Sequence, residues 1–291
     1  MASQTGSGIR SKRRHILWAV DALEAIPASS PSSNERASDF LRSLENTLNA
    51  DITPVFVLSP DQMNLGLYEL PDLNDFVPSA RRALESRLAH LKVMNLKPPR
   101  ILVNNDPSLR HSVAALIRFA DQNKFDWIVA GSHGGHGFDR YLIGSFAEEL
   151  LIQSRIPVLV IGKSAEPTTS VRTIVFPTNF TPGSERVFRR VLSLAQDLTA
   201  QIRILHVGPD YDQNKAYDWM TAAKRSGVTA VYERDTSSQS VIESVLKATD
   251  QSPDTIIAMT SHSGRWSSLM RGNFARKVVR TVHRPVWVMR A

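Results

Sequence analysis

No cysteine occurs among the 291 residues, which removes disulfides, thiolate metal sites and cysteine nucleophiles together. Nor is there any apolar run near the ~20 residues a membrane-spanning helix needs. The opening MASQTGSGIRSKRRHILWAVDALEA holds too short an apolar stretch, with Asp21 inside it, for a secretory signal. We therefore expect a cytoplasmic chain with no membrane contact. Acid is missing from both ends: residues 1–14 carry four basic groups and residues 261–291 carry seven, without one Asp or Glu. The net charge is +7, yet the remaining chain holds 24 basic against 28 acidic residues. A basic excess confined to the ends argues against a nucleic-acid interface. With 42% hydrophobic residues the chain can bury a sizeable core, and its length suits two domains of ordinary size.

The sequence contains one unit twice. HILWAVDALE, ITPVFVLSP, RILVNNDPS, FDWIVAGSHGG and RIPVLVIG are answered in order by RTIVFPTNFT, IRILHVGPD, TAVYERDTS, PDTIIAMTSHSG and HRPVWVMRA. The period is about 140 residues. We divide the chain into a basic leader (1–14), a first domain (15–163), an exposed Pro, Ser and Thr linker (164–171) and a second domain (172–291). Each apolar run has the length of a buried strand, and helical spacing lies between the runs. Phe40, Leu41, Leu44 and Leu48 share one face, as do Leu84, Leu88 and Leu91, and Val113, Leu116 and Ile117. In the second unit Val187, Phe188, Val191, Leu194, Ala195 and Leu198 follow Pro182, which suits a first helical turn. Such alternation predicts an α/β fold: two tandem doubly wound, Rossmann-like parallel sheets of five strands each. Ligands of such sheets sit beyond the carboxyl ends of the strands, where strand order reverses.

GSHGGHGFDRYLIGSFAEELL, Gly131 to Leu151, leaves the fourth strand at that end. Ser145 with Glu148 three residues on predicts a capping box and a helix start. Free amides at a helix start attract anions, and Gly131, Gly134 and Gly144 would let main chain approach phosphate oxygens. A plain strand-to-helix turn accounts for the same residues without any ligand.

Gly131, two residues, Gly134, nine residues, Gly144 and Ser145 match the G-x2-G-x9-G-S/T signature of the universal stress protein family. IVAGSHG and IPVLVIG also resemble that family, and the likeness covers nearly the whole chain as a tandem pair. The resemblance implies the adenine nucleotide alpha hydrolase-like fold and ATP, with or without Mg2+, as ligand. It implies that Gly131, Gly134, Gly144 and Ser145 surround phosphates and ribose, with Asp21 and Val57 near the adenine. The second unit departs from the pattern. Thr260 and Ser263 replace the first two glycines, eight residues separate Ser263 from Gly272, Asn273 replaces the serine, and Asn179 stands at the Asp position. Asn273 can still cap a helix and Val207 keeps the apolar position. The second unit then serves architecture; the alternative is that Arg265 and Arg271 hold another anion.

IGKS at 161–164 lacks the leading glycine of a phosphate loop, because Pro157 stands there. His133 and His136 have no third donor nearby for zinc. Ser145, His133 and Asp139 lack the nucleophile-elbow sequence of a hydrolase triad. No catalytic residue or metal ligand is assigned, and at most weak ATP hydrolysis is expected. Two functions stay open: a stress-response regulator binding an adenine nucleotide and an unidentified protein partner, or an interaction scaffold of the same fold without nucleotide. The segment 25–34, IPASSPSSNE, lengthens the first strand-to-helix connection as a flexible insertion or a lid. The last strand of each unit, PVLVI and PVWVM, is an apolar edge that needs cover. We expect the two edges to pair as an intramolecular pseudo-dimer, with Trp287 at the contact and Val286 on the opposite face; a further homodimer is left open.

Overall fold

The structure is a computed structural model that describes residues 13–24, 31–45, 47–60, 63, 72–132, 145–208, 213–238, 240–250, 252–261 and 273–291. The first half runs β1 (Arg14–Ala19), α1 (Ser33–Glu45), β2 (Ala50–Leu58), α2 (Val77–Leu91), β3 (Arg100–Val103), α3 (Leu109–Gln122), β4 (Trp127–Gly131), α4 (Ser145–Gln153) and β5 (Val158–Ile161). The second repeats the order with β6 (Thr173–Pro177), α5 (Pro182–Leu198), β7 (Gln201–Val207), α6 (Gln213–Arg225), β8 (Ala230–Asp235), α7 (Val241–Thr249), β9 (Thr255–Ser261), α8 (Asn273–Thr281) and β10 (Val286–Arg290). The ten strands form one sheet in the order β3-β2-β1-β4-β5-β10-β9-β6-β7-β8. The pairs within each half are parallel, and β5 meets β10 antiparallel.

Alternation along the strands sorts side chains onto two faces. Ile16 and Trp18 join Phe40, Leu41, Phe176, Phe188 and Trp287 on one face; Leu17 joins Val113, Leu150, Val175, Val245 and Val286 on the other. Central strands carry apolar residues on both faces, as helices on both sides require. β3 and β8, the outer edges, are only partly buried, in contrast to the fully buried strands the apolar runs suggested. Helix starts follow local chemistry. Thr181 Oγ1 accepts the Ser184 N–H, and Pro182 opens α5 as expected.

The seam lies at the middle of the sheet. Val286, Trp287 and Val288 stand opposite Val160, Leu159 and Val158, so the two apolar edges cover each other. Trp287 packs edge-on to Trp127 with ring centroids 5.2 Å apart, while Val286 turns to the other face. Arg14 reaches across from β1 to α5, donating to Asp197 at 2.9 Å and Ser193 at 2.7 Å. The segment after β5 exposes Ser164, Glu166, Pro167 and Thr169 and is anchored at other points. Thr168 and Val171 are buried, Glu166 pairs with the buried Arg284, and the Glu166 N–H donates to the His283 carbonyl. These contacts hold it against the second half.

Trp287 fills the seam beside Trp127, so Trp287→Ala should lower unfolding free energy by about 3–5 kcal/mol in urea denaturation. A loss below about 1 kcal/mol would show that the seam closes without this ring.

Candidate functional site

Strand order reverses between β1 and β4, which places the ligand crevice of this architecture at their carboxyl ends. Ala19 stands opposite Val55 on one side and Ala130 on the other. Two residues further, Asp21 comes level with Val57, and Gly131 ends the neighbouring strand. The structure thus brings Asp21, Val57 and Gly131 to the ends of three adjacent strands. Ser145 is the exposed first residue of α4. Gly134, Gly144, His133, His136 and Asp139 lie outside the described residues, as do Ser263, Arg265, Arg271 and Gly272.

Asp21 is fixed by its main chain. Its N–H donates to Asn34 Oδ1 at 3.2 Å, and its carbonyl accepts from Asn34 Nδ2 at 2.7 Å. Its carboxylate accepts the Leu23 N–H at 2.8 Å, closing a local turn. Val57 is a core side chain, 5% exposed, in the cluster with Val113 and Leu116. Gly131 has a steric role inside the fold. A Cβ there would lie 2.8 Å from the Ser33 carbonyl carbon and closer still to its oxygen. The missing side chain makes room for the start of α1, so the room beside Gly131 is taken by the chain itself. This packing role stands beside the phosphate role that the motif implies.

Several residues at the crevice were not singled out from sequence. The Glu24 carboxylate accepts the N–H groups of Ser33 at 2.6 Å and Asn34 at 3.2 Å, supplying the negative charge that a helix start favours. Ser32 and Glu35 form a reciprocal capping box at 3.1 and 2.6 Å. The S-x-x-E pattern was visible, but it falls at the end of the segment read as an insertion. Arg36 donates to the Ser132 carbonyl at 3.0 Å and to the Pro31 carbonyl, setting a guanidinium at the root of the glycine loop. Burial lowers the Arg36 pKa from its usual value, against the attraction of Glu24 and Glu35. The expected capping box of Ser145 and Glu148 is replaced. Glu148 accepts from Arg276 at 3.2 Å and from Arg280, both on α8.

The second half differs where the crevice would open. Strand register sets Asn179 at the position of Asp21 and Val207 at that of Val57, and Thr260, one residue before the end of β9, at that of Gly131. Phe180, the counterpart of Ala22, has a left-handed backbone, φ 55°. Its ring, 4% exposed, packs against His206, Trp219 and Tyr232 at centroid distances of 5.6, 4.9 and 6.1 Å. An aromatic cluster therefore fills this half at the level where the first half carries a small residue.

Comparison with known proteins bears on both halves. Residues 12–162 match the universal stress protein family. A universal stress protein of Methanocaldococcus jannaschii is 42% identical over 48 residues, which cover 16% of this chain and 28% of that relative's length. The crystal structure of a universal stress protein from Archaeoglobus fulgidus aligns with a TM-score of 0.68 at 17% identity, covering 95% of this chain and 96% of the other. A protein of unknown function from Pseudomonas aeruginosa aligns with a TM-score of 0.58 at 13% identity, covering 95% and 92%. The last two likenesses concern the fold and extend over both halves; the family match spans more than half of the sequence and includes the whole β1–β5 unit with its glycine loop. The chain belongs to the universal stress protein family.

Proposed function

We propose that this protein is a cytoplasmic stress-response regulator whose first domain, 15–163, binds ATP, with Mg2+ on the phosphates. The second domain, 172–291, and the segment 164–171 are its architectural partner. One observation carries this reading: Asp21, Val57 and Gly131 stand at the ends of three adjacent strands around the switch point, whereas the matching level of the second half is filled by Phe180. The residues present suit a nucleotide. The α4 start supplies main-chain donors and the positive end of a helix dipole, Ser145 a hydroxyl, and Arg36 a cation nearby. Gly134 and Gly144 complete the signature. When bound, the metal would offset phosphate charge; Asp21 would hold the base side and Ser145 the phosphate side. Regulation would follow from nucleotide occupancy changing how the protein meets a protein partner.

A second reading is favoured by Gly131, whose bareness the Ser33 contact accounts for without a ligand. The fold could then keep its glycine as an interaction scaffold without nucleotide.

Titration calorimetry with ATP and Mg2+ separates the two. One site per chain is expected; two equivalent sites would refute the asymmetry, and no binding at millimolar ATP would leave the scaffold. Gly144→Val should weaken ATP binding at least about tenfold while Gly272→Val leaves it unchanged. Equal affinity of Gly144→Val and wild type, both folded by circular dichroism, would remove the phosphate cradle. Gly131→Ala should reduce stability by about 1–3 kcal/mol whether or not nucleotide is present, because its Cβ meets the α1 backbone. Unchanged urea unfolding would contradict that packing.

A further inference from the structure

The seam relates the two halves by an approximate two-fold axis. Leu159 and Trp287 occupy equivalent places in VLVI and VWVM and stand directly opposite each other, so the axis passes between them. α4 and α8 immediately precede these strands and have nine residues each. Glu148 and Arg276 are both fourth in their helices, equivalent residues 128 positions apart, and they touch. A contact between equivalent positions must lie at the axis. In a symmetric pairing of like halves, each of these residues would face its own copy.

The two helices carry opposite charge throughout. SFAEELLIQ has two carboxylates and no base; NFARKVVRT has three bases and no acid. Glu148 lies between Arg276 and Arg280, with side chains 19%, 26% and 32% exposed, so solvent screens the group only in part. Two first halves would set Glu148 against Glu148, with Ile152 where Arg280 stands. Two second halves would set Arg276 and Arg280 against the same pair. Size follows the same division, because Leu159 opposes Trp287 and Trp127 packs edge-on to Trp287.

We infer that this seam is a heterospecific interface: the acid-faced first half accepts the base-faced second half and rejects a second copy of itself. Covering both sheet edges alone would not require such matching, since two identical edges can pair about a two-fold axis. The charge pattern makes the second half the required partner of the first, and this holds whether or not the first half binds nucleotide.

Charge reversal in the full-length chain tests it. Glu148→Arg makes the charges at the seam all positive, as two second halves would, and Arg276→Glu with Arg280→Glu makes them all negative, as two first halves would. Each one-sided variant should lose roughly 5 °C or more in thermal midpoint at low salt, and less at about 0.5 M salt. The triple variant, with all three charges reversed, should recover more than half of either loss. If a one-sided variant fails to fold, a folded triple variant supports the inference equally. One-sided variants with wild-type midpoints, or a triple variant as unstable as the sum of its parts or unable to fold, would overturn it.

Discussion

The pairing of β5 with β10 is the constraint on which the rest of the structure depends. A parallel sheet wound outward from β1 ends on an apolar strand whose main-chain donors and acceptors need partners. One half alone leaves VLVI exposed. Two halves related by a two-fold axis must bring these edges together antiparallel, and Val158, Leu159 and Val160 do meet Val288, Trp287 and Val286. Once that ladder closes, both hydrophobic clusters run continuously through the two halves. The edges that remain, β3 and β8, are partly polar and partly exposed, as edge strands in contact with water should be.

Much of this was legible because strand and helix patterns act over short ranges. The alternation that sends Trp287 to one face and Val286 to the other follows from the pleat alone, and Pro182 after Thr181 marks a helix start by local chemistry. What could not be read depended on contacts distant in sequence. Glu148 has the spacing of a capping residue, but arginines 128 and 132 positions later compete for its carboxylate with full charge. Two guanidinium cations outweigh the local bond because they add charge–charge attraction, whereas the cap offers the carboxylate one uncharged N–H. The anchoring of the linker was hidden for the same reason. Its composition suits an exposed tether, while Glu166 is held by Arg284, a residue buried in the second half. At the site, Asp21 and Val57 fall level at neighbouring strand ends, but the contacts of Glu24 with the α1 start and of Arg36 with Ser132 leave no signature in spacing.

Gly131 shows that a motif glycine can also serve the fold. A glycine between a strand and a glycine-rich loop is open to a ligand explanation, and here the atoms that a Cβ would meet belong to Ser33. The fold needs a bare Cα at that point because α1 starts tight against the end of β4. The second half meets Thr260 at the matching position without losing the fold, so the crowding must be relieved there by a different path between β6 and α5. That path is short, with Thr178 to Thr181 joining the two elements, whereas the first half takes the longer connection that carries Asp21, Glu24 and Ser32.

The short path also explains Phe180. Turning from β6 into α5 within four residues demands a left-handed backbone, which a non-glycine residue adopts at a cost of order 1–3 kcal/mol. The ring contacts with His206, Trp219 and Tyr232 offset that cost, since aromatic pairs contribute about 0.5–1.5 kcal/mol each beyond burial. The strain and its compensation belong to one residue: a glycine would relieve the backbone but lose the cluster, and the space would no longer be filled. In the first half the equivalent residue is Ala22, which contributes no ring, and the loop that follows is anchored by Asn34 and Glu24 instead. The asymmetry between the halves is therefore set by how each chain turns out of its first strand, a choice made before the glycine loop is reached.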